Sequence, residues 1–239
     1  MESERKRLVN SFVLPALFVF LLWVIKAVEW IGGFSLGFLG VYPMKAHGLI
    51  GIITAPLIHS DFSHLFANSV PLLALGAALV YFYREIAIKV FALMYLMVGI
   101  WVWVFAREAY HIGASGVVYG LASFIFLSGL IRRNKRLIAL AMVVAFLYGS
   151  FVWGVFPEFF PEQNISWESH LMGIIAGIIL AVYYRKEGPQ REKYSWEIEE
   201  ELYGNDDEEE EEDDGGYWNT TITDEEIKNI NQRYHFRKK

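Results

Sequence analysis

The chain has 239 residues, 54% of them hydrophobic, and a formal net charge of −6. The apolar residues are confined to about the first 185 positions, whereas nine consecutive acids, Asp206 to Asp214, supply the net charge, so it does not mark a basic ligand and no nucleic-acid partner is expected. The absence of cysteine excludes disulfides, thiolate nucleophiles and zinc–thiolate centres.

Arg5, Lys6 and Arg7 precede an apolar run from Leu8 that is too long for a signal peptide and has no Ala-x-Ala cleavage site. It reads as a retained first span, about residues 8–30, since roughly 20 apolar residues cross a bilayer. Residues 31–61 form a long, glycine-rich, apolar segment without a clean span, expected to lie partly in the membrane against the bundle. Five further spans follow at about 62–83, 86–106, 115–131, 137–155 and 169–184. The fold class is therefore all-α polytopic membrane, a six-helix bundle over residues 1–184. Residues 185–239 form a cytoplasmic acidic tail, mostly disordered because it cannot bury a core.

Basic residues cluster before the first span, around Arg84 and Lys89, in Arg132-Arg133-Lys135-Arg136, and after the last span. Every second connection is basic, which places both termini in the cytoplasm of a multi-pass protein, expected in the cell membrane. Spans two, four and six then start on the outer side, with His64 and Asn68 opening span two, Ser115 span four and His170 span six. Counted at 1.5 Å per residue from the inner ends, Asn68 and Ser115 lie about 23 Å up a ~30 Å core, His170 about 20 Å and His64 about 29 Å.

Ser115 stands in Gly113-Ala114-Ser115-Gly116, where a loop enters an apolar helix whose first N–H groups have no intrahelical acceptor. Gly116-x3-Gly120 and Gly173-x3-Gly177 are small-x3-small patterns that let two helix backbones approach closely, which would bring His170 to Ser115. Tyr119, four residues on from Ser115, would stack under the imidazole. His170 would take the serine proton as general base, and Glu168, two residues away and on the other side of the helix, would not orient it. The expectation is a Ser–His dyad, with His64, Asn68 and the Ser115 N–H facing the oxyanion. His59, Asp61 and His64 lack metal-ligand spacing, so neither a metal nor a cofactor is expected.

These motifs resemble the rhomboid intramembrane serine proteases: Gly-x-Ser-Gly at Gly113–Gly116, His-x-x-x-Asn at His64 and Asn68, and His-x-x-Gly-x-x-x-Gly at His170, Gly173 and Gly177. The resemblance covers residues 8–184. It implies cleavage of single-span membrane proteins in or near the transmembrane segment, a small residue before the cut, and no cofactor. It implies Ser115 as nucleophile, His170 as base, an oxyanion site of His64, Asn68 and Ser115, and His59 lining a water path. Gating would fall to the last outer loop, Phe156 to Glu168, where Pro157 and Pro161 break helix. The Trp-Arg pair that many members carry in the first outer segment is absent between Ile31 and Ile58, which removes its bracing. The alternative function is a non-catalytic, rhomboid-like chaperone or adaptor that binds transmembrane segments. In the tail, Thr223-Asp224-Glu225-Glu226 resembles a capping box ahead of a short amphipathic helix, and Asn164-Ile165-Ser166 is a sequon on the outer side.

Overall fold

A computed structural model describes residues 4–147 and 166–188, the side chains of 144–147 excepted. The far end of the fifth span, residues 156–165 of the expected gating loop with Pro157 and Pro161, Asn164, the acid run and the tail helix lie outside the described residues, while Ser166 caps and Trp167 and Glu168 open the last helix. Among the described residues all regular structure is helical: α1 Glu4–Gly32, α2 Gly51–Thr54 (a single turn), α3 Phe62–Phe82, α4 Ala87–Phe105, α5 Ser115–Ile131, α6 Lys135–Leu147 and α7 Trp167–Tyr183. Three of them, α1, α3 and α4, are long and apolar enough to cross a membrane. The apolar α5 and α7 have 17 residues each.

The helix ends follow local chemistry. Asp61 caps α3, its carboxylate accepting the His64 N–H at 2.8 Å, so the helix starts where a side chain satisfies a free donor. Pro15 and Pro71 sit inside α1 and α3, which apolar helices tolerate when neighbours cover the freed backbone. Pro15 packs on Gly76 of α3, and Trp23 donates to Ser69 Oγ at 3.0 Å, joining α1 to α3. Phe20, Trp30 and Ile31 on the outer face of α1 are exposed, as a lipid-facing surface requires.

Among the described residues, the most extensive helix–helix contact is that of α5 with α7. A Cβ on Gly173 would stand 2.0 Å from the Gly116 carbonyl oxygen, and one on Gly177 2.3 Å from that of Gly120, so the two backbones meet where both glycine pairs remove side chains. Without a hydrophobic force between helices in lipid, such backbone approach is the main source of association. Buried Leu121, Phe124 and Ile125 of α5 fill the rest of the centre with Leu72, Leu79 and Met94.

The segment 31–61 is a chain of 3-10 turns and the single turn α2, laid against α4. Its backbone is held by side chains from outside: Glu29 accepts the Leu36 N–H at 2.6 Å, Trp103 donates to Lys45 O at 3.0 Å, and the Tyr95 hydroxyl donates to Ile53 O. Lys26 donates to His59 O and Ser60 O at 3.0 and 2.9 Å. Backbone without a regular helix leaves donors and acceptors to be satisfied from elsewhere, and here Lys26, Glu29, Tyr95 and Trp103 do so.

Candidate active site

The turn before α5 is shaped by Gly113, whose φ of +103° falls where a side chain is strained. A Cβ there would stand 2.7 Å from His64 Cε1, so the same glycine lets the His64 ring close on the serine turn. Gly113 N–H donates to Ala55 O at 2.9 Å, tying the turn to the long segment. Ala114 ends the turn as N-cap, and Ser115, half-buried, is the first residue of α5.

Ser115 Oγ lies 2.9 Å from His170 Nε2, a hydrogen-bond distance across 55 residues. The imidazole is buried and stacks on Tyr119, ring centroids 4.1 Å apart at 11°, which limits its rotation. Glu168 points elsewhere: its buried carboxylate has the Arg107 guanidinium at 3.1 Å, an ion pair without an aligned hydrogen bond.

On the α3 side, Asn68 is buried and its amide donates to His64 O at 2.9 Å, while His64 Nδ1 lies 3.2 Å from Ser60 Oγ. His64 therefore reaches the serine turn at Gly113, with Asn68 one helical turn further along α3. His59 is buried behind His64, the rings edge to face with centroids 5.0 Å apart. Burial and the neighbouring His64 push its pKa down to about 3, which keeps it neutral. A cavity of about 20 Å³ lies behind Gly113 and Gly116, between Val41, Val98 and Val102, room for about one water.

A second polar cluster has no counterpart in the sequence motifs. His111, four residues before Ser115, is buried, with Nε2 3.0 Å from Arg107 O and Nδ1 2.6 Å from Ser166 Oγ. A carbonyl only accepts, so Nε2 carries the proton and Nδ1 accepts from the Ser166 hydroxyl. Ser166 Oγ in turn lies 2.6 Å from Ser169 Oγ. The His111 backbone pairs with Val41, N–H to O at 2.9 Å in both directions. Burial lowers the His111 pKa, with Glu168 opposing, which suits the neutral tautomer. The cluster joins the long segment, the serine loop and the first turn of the His170 helix.

Ser115, His170, Tyr119, His64, Asn68, Gly113, Gly116 and His59, the residues that the sequence motifs single out, all lie around one end of α3, α5 and α7. The one signal for the missed cluster is the pair of buried-type polar residues, His111 and Ser166, each beside a span start.

A family model described as the rhomboid domain matches residues 46–187. An uncharacterized protein of Mycobacterium tuberculosis is 32% identical over 196 residues, covering 80% of this chain and 81% of its own length. One of Mycobacterium bovis shows the same figures, and one of Mycobacterium leprae is 31% identical over 197 residues, covering 80% of this chain and 77% of its own. The matched region contains the serine turn, the α3 pair and the His170 helix.

Proposed function

This chain belongs to the rhomboid family of polytopic membrane proteins, and from that premise we propose that it is an intramembrane serine endopeptidase with six spans, both termini cytoplasmic and the site toward the outer leaflet. Its domain is residues 1–184, and residues 185–239 are a cytoplasmic tail. Its substrates are single-span membrane proteins, cut in or next to the transmembrane segment.

The observation that carries the reading is the 2.9 Å separation of Ser115 Oγ and His170 Nε2, with Tyr119 stacked on the imidazole. Neutral His170 takes the Ser115 hydroxyl proton as Oγ attacks the scissile carbonyl. The oxyanion faces the Ser115 N–H, which as the first helical residue has no intrahelical acceptor, together with His64 and Asn68. His170 then gives its proton to the leaving amine, and the Ser115 acyl ester is left for water, activated by the same imidazole.

The test is cleavage of a single-span reporter by purified protein in liposomes, with fluorophosphonate labelling beside it. Wild type is expected to cut and label; Ser115→Ala and His170→Ala, folded, are expected to do neither. A wild-type protein that binds the reporter without cutting or labelling would establish the adaptor role instead.

A further inference from the structure

Ser60, Asp61 and His64 meet where the long segment enters α3. Both oxygens of the Asp61 carboxylate are used: Oδ1 accepts the His64 backbone N–H at 2.8 Å, and Oδ2 accepts the Ser60 hydroxyl at 2.7 Å. Ser60 Oγ also lies 3.2 Å from His64 Nδ1. The opposite edge of the ring is turned to the serine loop. Cε1 and Nε2 would stand 2.7 and 2.9 Å from a Cβ on Gly113, and Nδ1 3.9 Å. One ring nitrogen therefore belongs to Ser60 and the other to the turn that carries Ser115.

The hydrogens of this relay can be counted. Asp61 is exposed, and the Ser60 hydroxyl and the His64 N–H hold its carboxyl below the ordinary carboxylate range, so at neutral pH it is ionised and only accepts. Ser60 has a single hydroxyl hydrogen. Turning it toward His64 would leave oxygen lone pairs facing each other across 2.7 Å, so it goes to Asp61, and Ser60 Oγ accepts from the ring. His64 Nδ1 then carries a proton. From other parts of the fold, Lys26 of α1 donates to the carbonyls of His59 and Ser60, and the neutral His59 ring stands edge to face at 5.0 Å; neither is bonded to Nδ1. In the neutral His64 ring Nε2 is consequently a bare acceptor, the wrong polarity for an oxyanion.

We infer that Ser60 and Asp61 are positioning residues of the oxyanion site: they keep a proton on His64 Nδ1, so that His64 becomes a donor to the oxyanion only as an imidazolium, with Asp61 as its counter-charge through Ser60. The second proton comes from water, binds Nε2 as the oxyanion forms and returns to water when the oxyanion collapses; the Ser115 proton goes to His170 throughout. No bond of the relay has to turn when the second proton arrives, because Nδ1–H still donates to Ser60 and Ser60 to Asp61. A charged donor makes a hydrogen bond roughly twice as strong as a neutral one. The role in the oxyanion site rests on the protease reading, whereas the proton on Nδ1 rests on the relay alone.

The test is magic-angle-spinning NMR of the full chain in liposomes, with ¹⁵N-labelled histidine and the His64 signals identified by their loss in His64→Gln. In mildly alkaline buffer, where the ring is neutral, the free protein is expected to show His64 protonated on Nδ1 and bare on Nε2. Asp61→Asn keeps a good N-cap but donates its amide to Ser60, which frees the Ser60 hydrogen for Nδ1; the proton is then expected on Nε2. A neutral wild-type ring protonated on Nε2 overturns the relay. After fluorophosphonate labelling at neutral pH, an oxygen on phosphorus stands where the oxyanion would, and both His64 nitrogens are expected to carry protons. A single proton on that ring overturns the imidazolium. Reporter kcat in Asp61→Asn is expected to fall about tenfold, with KM changed by less than about threefold and the melting temperature kept; an unchanged kcat overturns the catalytic consequence. A wild-type protein that does not label would count against Ser115 as nucleophile, and the spectrum of the free protein would still decide the relay.

Discussion

His111 accepts the hydroxyl of Ser166 across 2.6 Å, and through that bond the loop that delivers Ser115 is fastened to the N-cap of the helix that delivers His170. The two residues are 55 apart in sequence, as are Ser115 and His170, so the second pairing runs parallel to the first. A shift of about 1 Å between nucleophile and base can cost on the order of a hundredfold in rate, which gives the fastening its consequence.

His111 is thus a positioning residue for the proposed dyad. His111→Phe keeps the ring volume and loses both hydrogen bonds; it is expected to lower reporter kcat about 10- to 100-fold with KM changed by less than about threefold. His111→Asn offers an acceptor and a donor from one amide and should recover part of the loss. Equal kcat in the Phe variant and the wild type would show that the bonds hold nothing the reaction uses.

Arg107 and Glu168 make the other tie, and their burial is unequal: side-chain exposure is 47% and 5%. Removing Arg107 leaves an unpaired carboxylate inside, whereas removing both leaves none. Arg107→Leu is expected to destabilise by about 1–3 kcal/mol, less than a fully buried pair because the guanidinium is half in solvent, and Arg107→Leu/Glu168→Leu to destabilise less than that. Thermal unfolding of wild type, Arg107→Leu, Glu168→Leu and the double variant in one detergent measures the cycle; additive losses would mean the two groups do not interact.

Gly173→Ala tests the helix contact beneath His170. Its Cβ would meet Gly116 O at 2.0 Å, backbone against which no rotamer relieves the clash, so α5 and α7 must separate. Overpacking typically costs about 1–3 kcal/mol, and the separation acts on the turn below His170. The expectation is a lowered melting temperature together with loss of fluorophosphonate labelling. Gly33→Ala, where nothing lies within 4 Å of the new Cβ, is expected to leave labelling intact despite its φ of +64°.

How far the sequence reveals this arrangement depends on whether a feature repeats along the chain. The α1, α3 and α4 spans are legible as unbroken apolar runs, and the start of α5 is legible because Gly113 and Ser115 break such a run. The Ser115–His170 approach is legible because Gly116-x3-Gly120 and Gly173-x3-Gly177 sit at matching places in two helices read as starting on the same side. Arg132 is not: among Arg133, Lys135 and Arg136 it reads as one more loop charge, yet it is buried beneath Tyr83 and donates to Tyr184 O and Glu187 O at 2.7 and 2.6 Å. The bracing of residues 31–61 by Lys26 and Glu29, and the His111–Ser166 bond, are likewise single contacts between distant segments. No periodicity announces them.

His59 gives a pH prediction. It is buried, its pKa is lowered to about 3 by burial first and then by His64, and the Leu57 backbone offsets this without an aligned bond to either ring nitrogen. The charged groups acting on it are Lys26, which adds to the lowering, and Asp61, which opposes it. The unfolded chain binds a proton near pH 6.5 and the folded ring does not until about pH 3, so the unfolded state holds the extra proton between those values. Stability is therefore unaffected by this group above about 6.5 and falls as pH drops below it, by up to about 1.4 kcal/mol per pH unit, the loss being complete near pH 3. His59→Phe keeps the shape and removes the titration. It is expected to match or exceed wild-type stability at pH 7.5, since a buried imidazole without good partners gives way to an apolar ring at little cost, and to widen its lead at pH 5. His111, lowered in the same direction, leaves a residual slope in the variant. Melting curves of the two proteins at both pH values decide it: a difference that stays constant with pH would mean that His59 titrates in the folded protein as it does in the unfolded chain.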